Sequence, residues 1–557
     1  MKKRNLMLIP VFGTLFLYSC GGGTEKTGTE EVSEVTAEKT YTDSTGTITL
    51  TQTEMDKASD MFFDKCAGCH GSSRKGATGP SLLPGGDGKS PATITLGMDG
   101  LKAFIENGTP GGMPEWKGIM TPDEIDLMAK FLQIDPPVVP PFGMDEITET
   151  WNLLIPVADR PMEPQHDRNI DNYFGVIMRD AGQVAIIDGD TKEKLVVLNT
   201  GFAVHILRTS ASGRYIYSVG RDGRITMIDT YSEIPTIVAE VRGAFDARSV
   251  EVSKYEGYED KYLVFGGYSP AHIAIFDAQT LEPISVTPTA GNACDGDKEY
   301  IEEARVASIV ASHTDPVWIC NIKERGMVDI VDYTDPKNPI ITEIPTARFI
   351  HDGGFDKTGH YFLVAANASN KIVVIDVPNK KLVKIIETGI KPHPGRGTNV
   401  STKWGDCWVT SHLGENKLSF IKTNPGEGQW TVVKEIKAHG SGGGALFVKS
   451  HPKSKNLWVD RTLNPDPELN STVDVFDTKT LELKKTITMP EGADGRMVHM
   501  EYNKAGNEVW ISVYMGEESA ILIYDDKTLE LKQMIKGDWV QNPTGKFNVY
   551  NTTNDIY

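Results

Sequence analysis

The pattern of apolar and polar positions changes character twice along the chain. The opening residues 1–19 run from Lys2, Lys3 and Arg4 into an apolar stretch. That is the form of a secretory signal peptide, too short and wrongly flanked for a membrane span. Residues 20–50 are rich in Thr, Glu, Ser and Gly, bury little, and predict a disordered tether. Between residues 51 and 136 the apolar period becomes helical. "TPDEIDLMAKFLQ" supplies an N-cap at Thr121, proline at the first helical position, and apolar Ile125, Met128, Phe131 and Leu132. "DGLKAFIENG" reads as another helix. "QIDPPVVPPFG" ends this segment in a proline-rich, semi-rigid linker, assigned to residues 137–160.

From residue 161 to 557 helical periodicity gives way to short β-branched runs broken by Gly, Asp, Asn and Pro. A unit recurs: a strand ending on a polar residue, a turn, then a second strand, as in "KIVVIDVPNKKLVKIIETG". The strand ends fall at Asp188, Asp229, Asp277, Asp332, Asp376, Lys422, Asp477 and Asp525, spaced 41 to 55 residues apart. Each interval has room for four short strands, so eight near-equal units predict an eight-bladed all-β propeller rather than twin sandwiches. The expected fold is a small all-α domain followed by that propeller.

A formal net charge of −19 argues against nucleic acid or an anionic membrane surface as partner. No stretch after the signal is apolar for long enough to cross a bilayer. The signal ends "LYSC" and runs into "GGG", which resembles a bacterial lipobox, although Tyr18 is bulky for its place. Cys20 then becomes the acylated first residue and ties the chain to a membrane on the periplasmic side. Ordinary cleavage nearby would remove it instead. With Cys20, Cys66 and Cys69 committed, Cys294, Cys320 and Cys407 remain too far apart in sequence to read as a disulfide framework.

"DKCAGCHGSS" carries the sharpest chemical signal. Cys66-X-X-Cys69-His70 suits covalent haem c or a redox dithiol, and His70 favours haem, because iron needs an adjacent imidazole. "GTPGGMPEW" places Met113 in a loop that can bring a thioether to the other face of the iron. A methionine alone is more often core. Its position before the last helix supports ligation, and His/Met ligation suits electron transfer. In the propeller, His205, His351 and His393 stand at blade-connecting positions, where a lone histidine is usually a hydrogen-bonded structural residue. Arg179, Arg208, Arg221, Arg224, Arg248 and Arg396 gather in similar loops. They suit a polycarboxylate ligand or an anionic substrate, although any one of them alone reads as a solvated surface arginine.

The segments "CAGCHGSSRKGATG", "GTPGGMPEW", "AVHILRTSASGRYIYSVGRDGRI", "ARSVEVSKYEGYEDKY", "FIHDGGFD", "PHPGRG" and "PTGKFNVYN" resemble the cytochrome cd1 nitrite reductase family from about residue 55 to the C-terminus. The resemblance implies a second, non-covalent haem of the d1 type in the propeller, and reduction of nitrite to nitric oxide and water. It implies His205 as the proximal ligand of the d1 iron, with His351 and His393 as a distal pair that would hold nitrite as imidazolium groups and deliver protons. By the same resemblance Arg179, Arg208, Arg221, Arg248, Arg396, Tyr268 and Gly545 line the d1 pocket. A soluble cytochrome c or copper protein as electron donor, and a homodimer, follow from the resemblance too. His499 and Tyr514 depart from the residues often found there, and Tyr41 is the one tether tyrosine that could reach the d1 iron. Two alternatives stay open on sequence: the related dehydrogenase of haem d1 biosynthesis, and a non-enzymatic carrier with a cofactor-binding propeller.

Overall fold

The computed structural model describes residues 38–557 apart from 77–78, 110–112, 114, 137–140 and 296–298. The signal peptide, Cys20 and most of the tether lie outside the described residues, as does the prolyl centre of the linker.

The tether ends earlier than expected. Thr40–Thr42 and Thr49–Thr51 pair antiparallel as a hairpin. Asp43 organises its turn, accepting the Thr47 and Ile48 N–H groups at 2.7 and 2.8 Å. Leu50 is buried in the helical core, so the hairpin belongs to the folded domain. Tyr41 donates its hydroxyl to Gln52 at 2.7 Å and packs on that same core. Thr51 then caps the helix Gln52–Lys65 through a capping box with Glu54. Thr121 caps Pro122–Phe131 in the same way with Glu124, and Ile125, Met128, Phe131 and Leu132 are all buried, as the periodicity predicts. Thr93–Asn107 completes the helical layer.

The linker is also more structured than its composition implies. Met144–Thr150 is a helix with Ile147 buried, and Asn152–Leu153 adds a fifth strand to a propeller blade by pairing with Thr236–Arg242.

The propeller has eight blades, each a four-stranded antiparallel sheet apart from that added strand. In chain order the strands nearest the axis are Ile206–Thr209, Asp246–Val252, Val306–Ala311, Ile350–Phe355, Thr398–Thr402, Val448–Lys449, Arg496–Tyr502 and Pro543–Asn548. The last of these closes the ring, pairing with Tyr173–Met178 from the propeller's own beginning. Seven of the eight periodic strand ends are aspartates for a local reason. Asp277 accepts the Gln279 and Thr280 N–H groups at 2.8 and 2.9 Å, and Asp477 and Asp525 do the same two and three residues on. The carboxylate thus templates the turn into the outermost strand. Trp318, Trp408, Trp458 and Trp510, all in second strands, are fully buried and fill the space between blades.

The final residues close the far end of the axial channel. Thr553 bonds Thr209, Asp555 pairs with Lys254 and His313 at 2.8 Å, Ile556 accepts from Lys449, and Tyr557 accepts from Asn399. A chain ending at residue 542 loses both the closing strand and this floor. Thermal melts followed by circular dichroism should show the sharp transition of the full chain replaced by a broad, low-temperature one.

Candidate functional site

In the helical domain, Cys66 ends the first helix and His70 ends the short turn Ala67–His70. His70 is buried with Nδ1 2.8 Å from the Pro80 carbonyl. A carbonyl only accepts, so Nδ1 carries the proton and Nε2 is left with a free lone pair, the state a metal ligand needs. Burial, assisted by the charge of Arg305, holds this imidazole below its ordinary value. A side chain at Gly79 would stand 2.9 Å from the His70 ring, so glycine leaves room for the imidazole. Met113 and Cys66 pack half-buried on one apolar cluster. Burial also pushes the Cys66 thiol up to about 12. A redox dithiol needs the opposite shift, which disfavours that alternative.

The channel site is built by irregularities in the inner strands. In a propeller these strands run the same way along the axis, so their first residues meet at one mouth. Near that mouth the pairing shifts at Arg248, between Ile350 and Gly353, at His499, and between Pro543 and Lys546. A bulge adds a residue and re-aims side chains, and here it turns Arg248, His351, Asp352 and His499 toward the axis. His205 and His393 sit just before the inner strands of their blades. His205 is held by its N–H to the Val219 carbonyl at 2.9 Å, and His393 by its N–H to the Ser411 carbonyl, also at 2.9 Å.

Asp352, which sequence reasoning missed, bridges His351 and His393. Its carboxylate lies 2.8 Å from His351 Nδ1 and 3.5 Å from His393 Nε2, and the two rings are 5.4 Å apart. Burial alone would raise this acid, but His351, His393 and Arg248 hold it far below the carboxylate range. Arg248 donates to His351 Nε2 at 3.0 Å, while His393 Nδ1 donates to the Leu446 carbonyl at 2.8 Å. Burial pushes His351 down to about 3, with Arg248 adding to the effect and Asp352 opposing it. With no anion bound, His351 is therefore held in its neutral form. Burial, Arg248 and Arg221 depress His205 well below its ordinary value, against Asp352. The same Arg248 and Asp352 act electrostatically on both His205 and His351.

Most of the arginines expected to line the pocket already have carboxylate partners. Arg208 and Arg396 share the buried Glu251 at 3.0 and 3.2 Å, and Arg221 holds Asp246 through two bonds of 2.6 and 2.7 Å. Arg179 reaches the other domain, donating to the Asp64 carbonyl at 3.0 Å and pairing with its carboxylate. Arg224 lies outside the channel beside Asp222 and Glu240. Gly545 occupies the bulge of the closing strand, next to Lys546, whose N–H donates to His499 Nδ1 at 3.3 Å. His499 has a φ of +53° and sits against Phe447 and Phe547, and burial followed by Lys546 keeps its imidazole well below the ordinary range. Burial pushes the Tyr514 phenol up to about 12.

Two family models match the chain: the cytochrome D1 heme domain over residues 168–552, and the cbb3-type cytochrome c oxidase subunit III over residues 53–132. The nitrite reductase of Stutzerimonas stutzeri is 48% identical over 534 residues, covering 91% of this chain and 95% of its own. This chain belongs to the cytochrome cd1 nitrite reductase family. As a member it is an oxidoreductase carrying haem c and haem d1. The dihydro-heme d1 dehydrogenase of Pseudomonas aeruginosa is a more distant relative, 25% identical over 88% of this chain and 93% of its own. A solved structure of dihydro-heme d1 dehydrogenase NirN in complex with DHE superposes with a TM-score of 0.67 at 24% identity, covering 88% of this chain and 99% of that one, and supports the fold.

The residues present fit both cofactors. Cys66, Cys69, His70 and Met113 give the thiols, imidazole and thioether that a c-type haem requires. In the propeller, the Tyr268 hydroxyl and Arg396 Nη1 are buried without a hydrogen-bond partner among the described residues. Such groups are costly unless a ligand satisfies them, and a haem with peripheral carboxylates would do so. Among the described residues no helix is long and apolar enough to cross a membrane.

The neutral state of His351 has a consequence for the d1-free protein. An unfolded imidazole titrates near pH 6.5, whereas the folded one stays neutral down to about pH 3. The unfolded chain therefore binds a proton that the folded chain refuses, and stability falls as the pH drops from about 6.5 toward 3. His351→Gln should remove up to about 1.4 kcal/mol per pH unit of that slope. Urea midpoints of the d1-free protein at pH 7 and pH 5 measure it.

Proposed function

We propose that nitrite is bound and reduced at the mouth of the propeller channel, between His351 and His393 and across from His205, by one electron and two protons to nitric oxide and water. His205 would hold haem d1, which when bound would supply the redox-active iron. The chain's own residues do the rest. Arg248 brings a fixed positive charge to a site that receives an anion. Asp352 accepts the hydrogen bond of His351 Nδ1–H and fixes its tautomer, so Nε2 is the atom that can face substrate once Arg248 shifts its bond. An anion beside a neutral imidazole favours its protonation, which turns His351 from an acceptor into a proton donor. His393, tied through Nδ1 to Leu446, presents Nε2 to the same space as the second donor. The convergence of three imidazoles, Asp352 and Arg248 on one mouth carries this reading.

Tyr268, Arg396, Arg208, Arg221 and Gly545 are the proposed cofactor-binding residues, with Arg179 at the edge nearest the helical domain. His70 and Met113 are the proposed iron ligands of haem c, with Cys66 and Cys69 as the covalent attachment. The division into residues 1–19 as signal peptide, 51–136 as cytochrome and 161–557 as propeller is part of the same proposal, adjusted for the hairpin and helix described above. So are a periplasmic location, a lipid on Cys20, a soluble cytochrome c or copper protein as donor, and a homodimer. The lipobox-like "LYSC" and the family resemblance support these.

Acidified-acetone extraction should release a green, non-covalent haem and leave haem c in the pellet. His351→Ala and His393→Ala should each lower nitrite turnover by about 10²- to 10⁴-fold, the usual worth of a general acid, with the haem c spectrum unchanged. Turnover retained in both variants would remove them as proton donors. Cys20→Ser should move the protein from the membrane pellet to the soluble fraction of the cell envelope, because stable anchoring needs the acyl chains.

A further inference from the structure

Around the haem c motif, contacts cross to the propeller in five places, one of them a clamp in which Glu303 accepts the Ser72 N–H at 2.6 Å and the Ser73 N–H at 3.3 Å. Two more lie at the rim: Lys75 with Glu302 at 2.7 Å, both exposed, and Arg179 with Asp64. An exposed ion pair contributes little to holding surfaces together. The other two are buried and of a different kind.

Arg305 stands immediately before the inner strand Val306–Ala311 and is fully buried. Nε and Nη2 donate to Glu324 Oε1 at 2.9 and 2.6 Å, and the backbone N–H of Arg305 donates to Glu324 Oε2 at 2.8 Å. The propeller thus neutralises and orients the guanidinium by itself. Its remaining nitrogen, Nη1, donates to the Ala67 carbonyl at 2.7 Å. Ala67 lies between the two haem-attaching cysteines. Beyond Arg305, 5.0 Å from the guanidinium, is the Tyr268 ring, whose hydroxyl is buried and unpartnered among the described residues.

A second arm ends on the same ring. Ser72, two residues after His70, donates its hydroxyl to Asp246 at 2.9 Å, and Asp246 holds Arg221, which lies 5.4 Å from the Tyr268 ring. Ser72, Asp246, Arg221, Arg305, Glu324 and Tyr268 are all buried. Two buried chains of hydrogen bonds and close guanidinium–ring contacts therefore run from the haem c motif and the residue just after it to one tyrosine of the propeller.

We propose that Arg305, oriented by Glu324, is the positioning residue that sets electron transfer between the two domains: it fixes the haem c turn against the propeller and, with the Ser72–Asp246–Arg221 arm, provides the packed path to Tyr268. In this step one electron leaves haem c, which is oxidised, and one arrives at haem d1, which is reduced. No bond forms or breaks along the path, and Arg305 and Tyr268 keep their protons. The inference rests on the two-haem family assignment and is independent of the roles given to His351 and His393.

The test uses the full-length, doubly loaded enzyme without nitrite, so the distal chemistry plays no part. Rapid mixing with a small-molecule reductant reads haem c reduction first and the passage of the electron to haem d1 second, each at its own absorption bands. Arg305→Gln leaves Glu324 as a lone buried charge and is at risk of misfolding. The double variant R305Q/E324Q removes both charges together, with an isosteric change at Glu324 and a shorter polar side chain at Arg305. In the double variant, haem c reduction by the external reductant and the d1-to-c ratio after acetone extraction should be unchanged, while interdomain transfer slows by about tenfold to a hundredfold, the scale of small misplacements of reacting groups. R305K, whose ammonium still reaches a carbonyl, should recover part of the rate. An unchanged transfer rate in a fully loaded double variant would overturn the proposal. So would loss of d1 with a normal rate in the molecules that remain loaded, because Arg305 would then serve cofactor retention.

Discussion

The closing blade is the constraint on which the rest depends. Its inner strand, Pro543–Asn548, is the last strand of the chain, and its three partners, beginning at Tyr173, are the first of the propeller. Only when these pair are all eight inner strands held at a common tilt with their first residues around one mouth. His205, Arg248, His351, His393 and Gly545 come from five different blades. Their meeting follows from ring closure rather than from any local motif. The bulges then perform the final aiming, each spending a regular ladder bond to turn a polar side chain inward.

Electrostatics is handled locally despite the net charge of −19. Arg208 and Arg396 meet Glu251, Arg221 meets Asp246 and Arg305 meets Glu324, each inside the fold. A buried pair contributes modestly to stability once desolvation is counted, but removing one partner is costly. What such pairs provide here is direction. A guanidinium anchored on one edge by a carboxylate has its other edge fixed in space, toward Ala67 in one case and along the channel in another. Arg248 is the exception, spending its donor on an imidazole.

Much of the architecture was legible in the residues. Period-two strands, the aspartates at strand ends and the capped helix after Thr121 are local signals, and local physics places them. The haem attachment motif was equally legible, because Cys66, Cys69 and His70 are adjacent. The hairpin at residues 40–51 was missed, since its Thr-rich composition resembles the tether and its stability comes from Leu50 docking on a remote core. Asp352 was missed although it follows His351 directly, because an extra residue in a strand has no composition signature. Arg305 and Glu324 flank adjacent strands and declare themselves only through their own pairing and the contact of Arg305 with Ala67. The charge state of His351 could not be read either, since it depends on burial and on Arg248, far away in sequence.

The tail that ends at Tyr557 has a consequence of its own. It bonds to Thr209, Lys254, His313, Asn399 and Lys449, which belong to five different blades. The ring is thus laced a second time, by side-chain and main-chain bonds beside the strand pairing that closes it. A blade that loosens must drag the tail with it, and through the tail the other four.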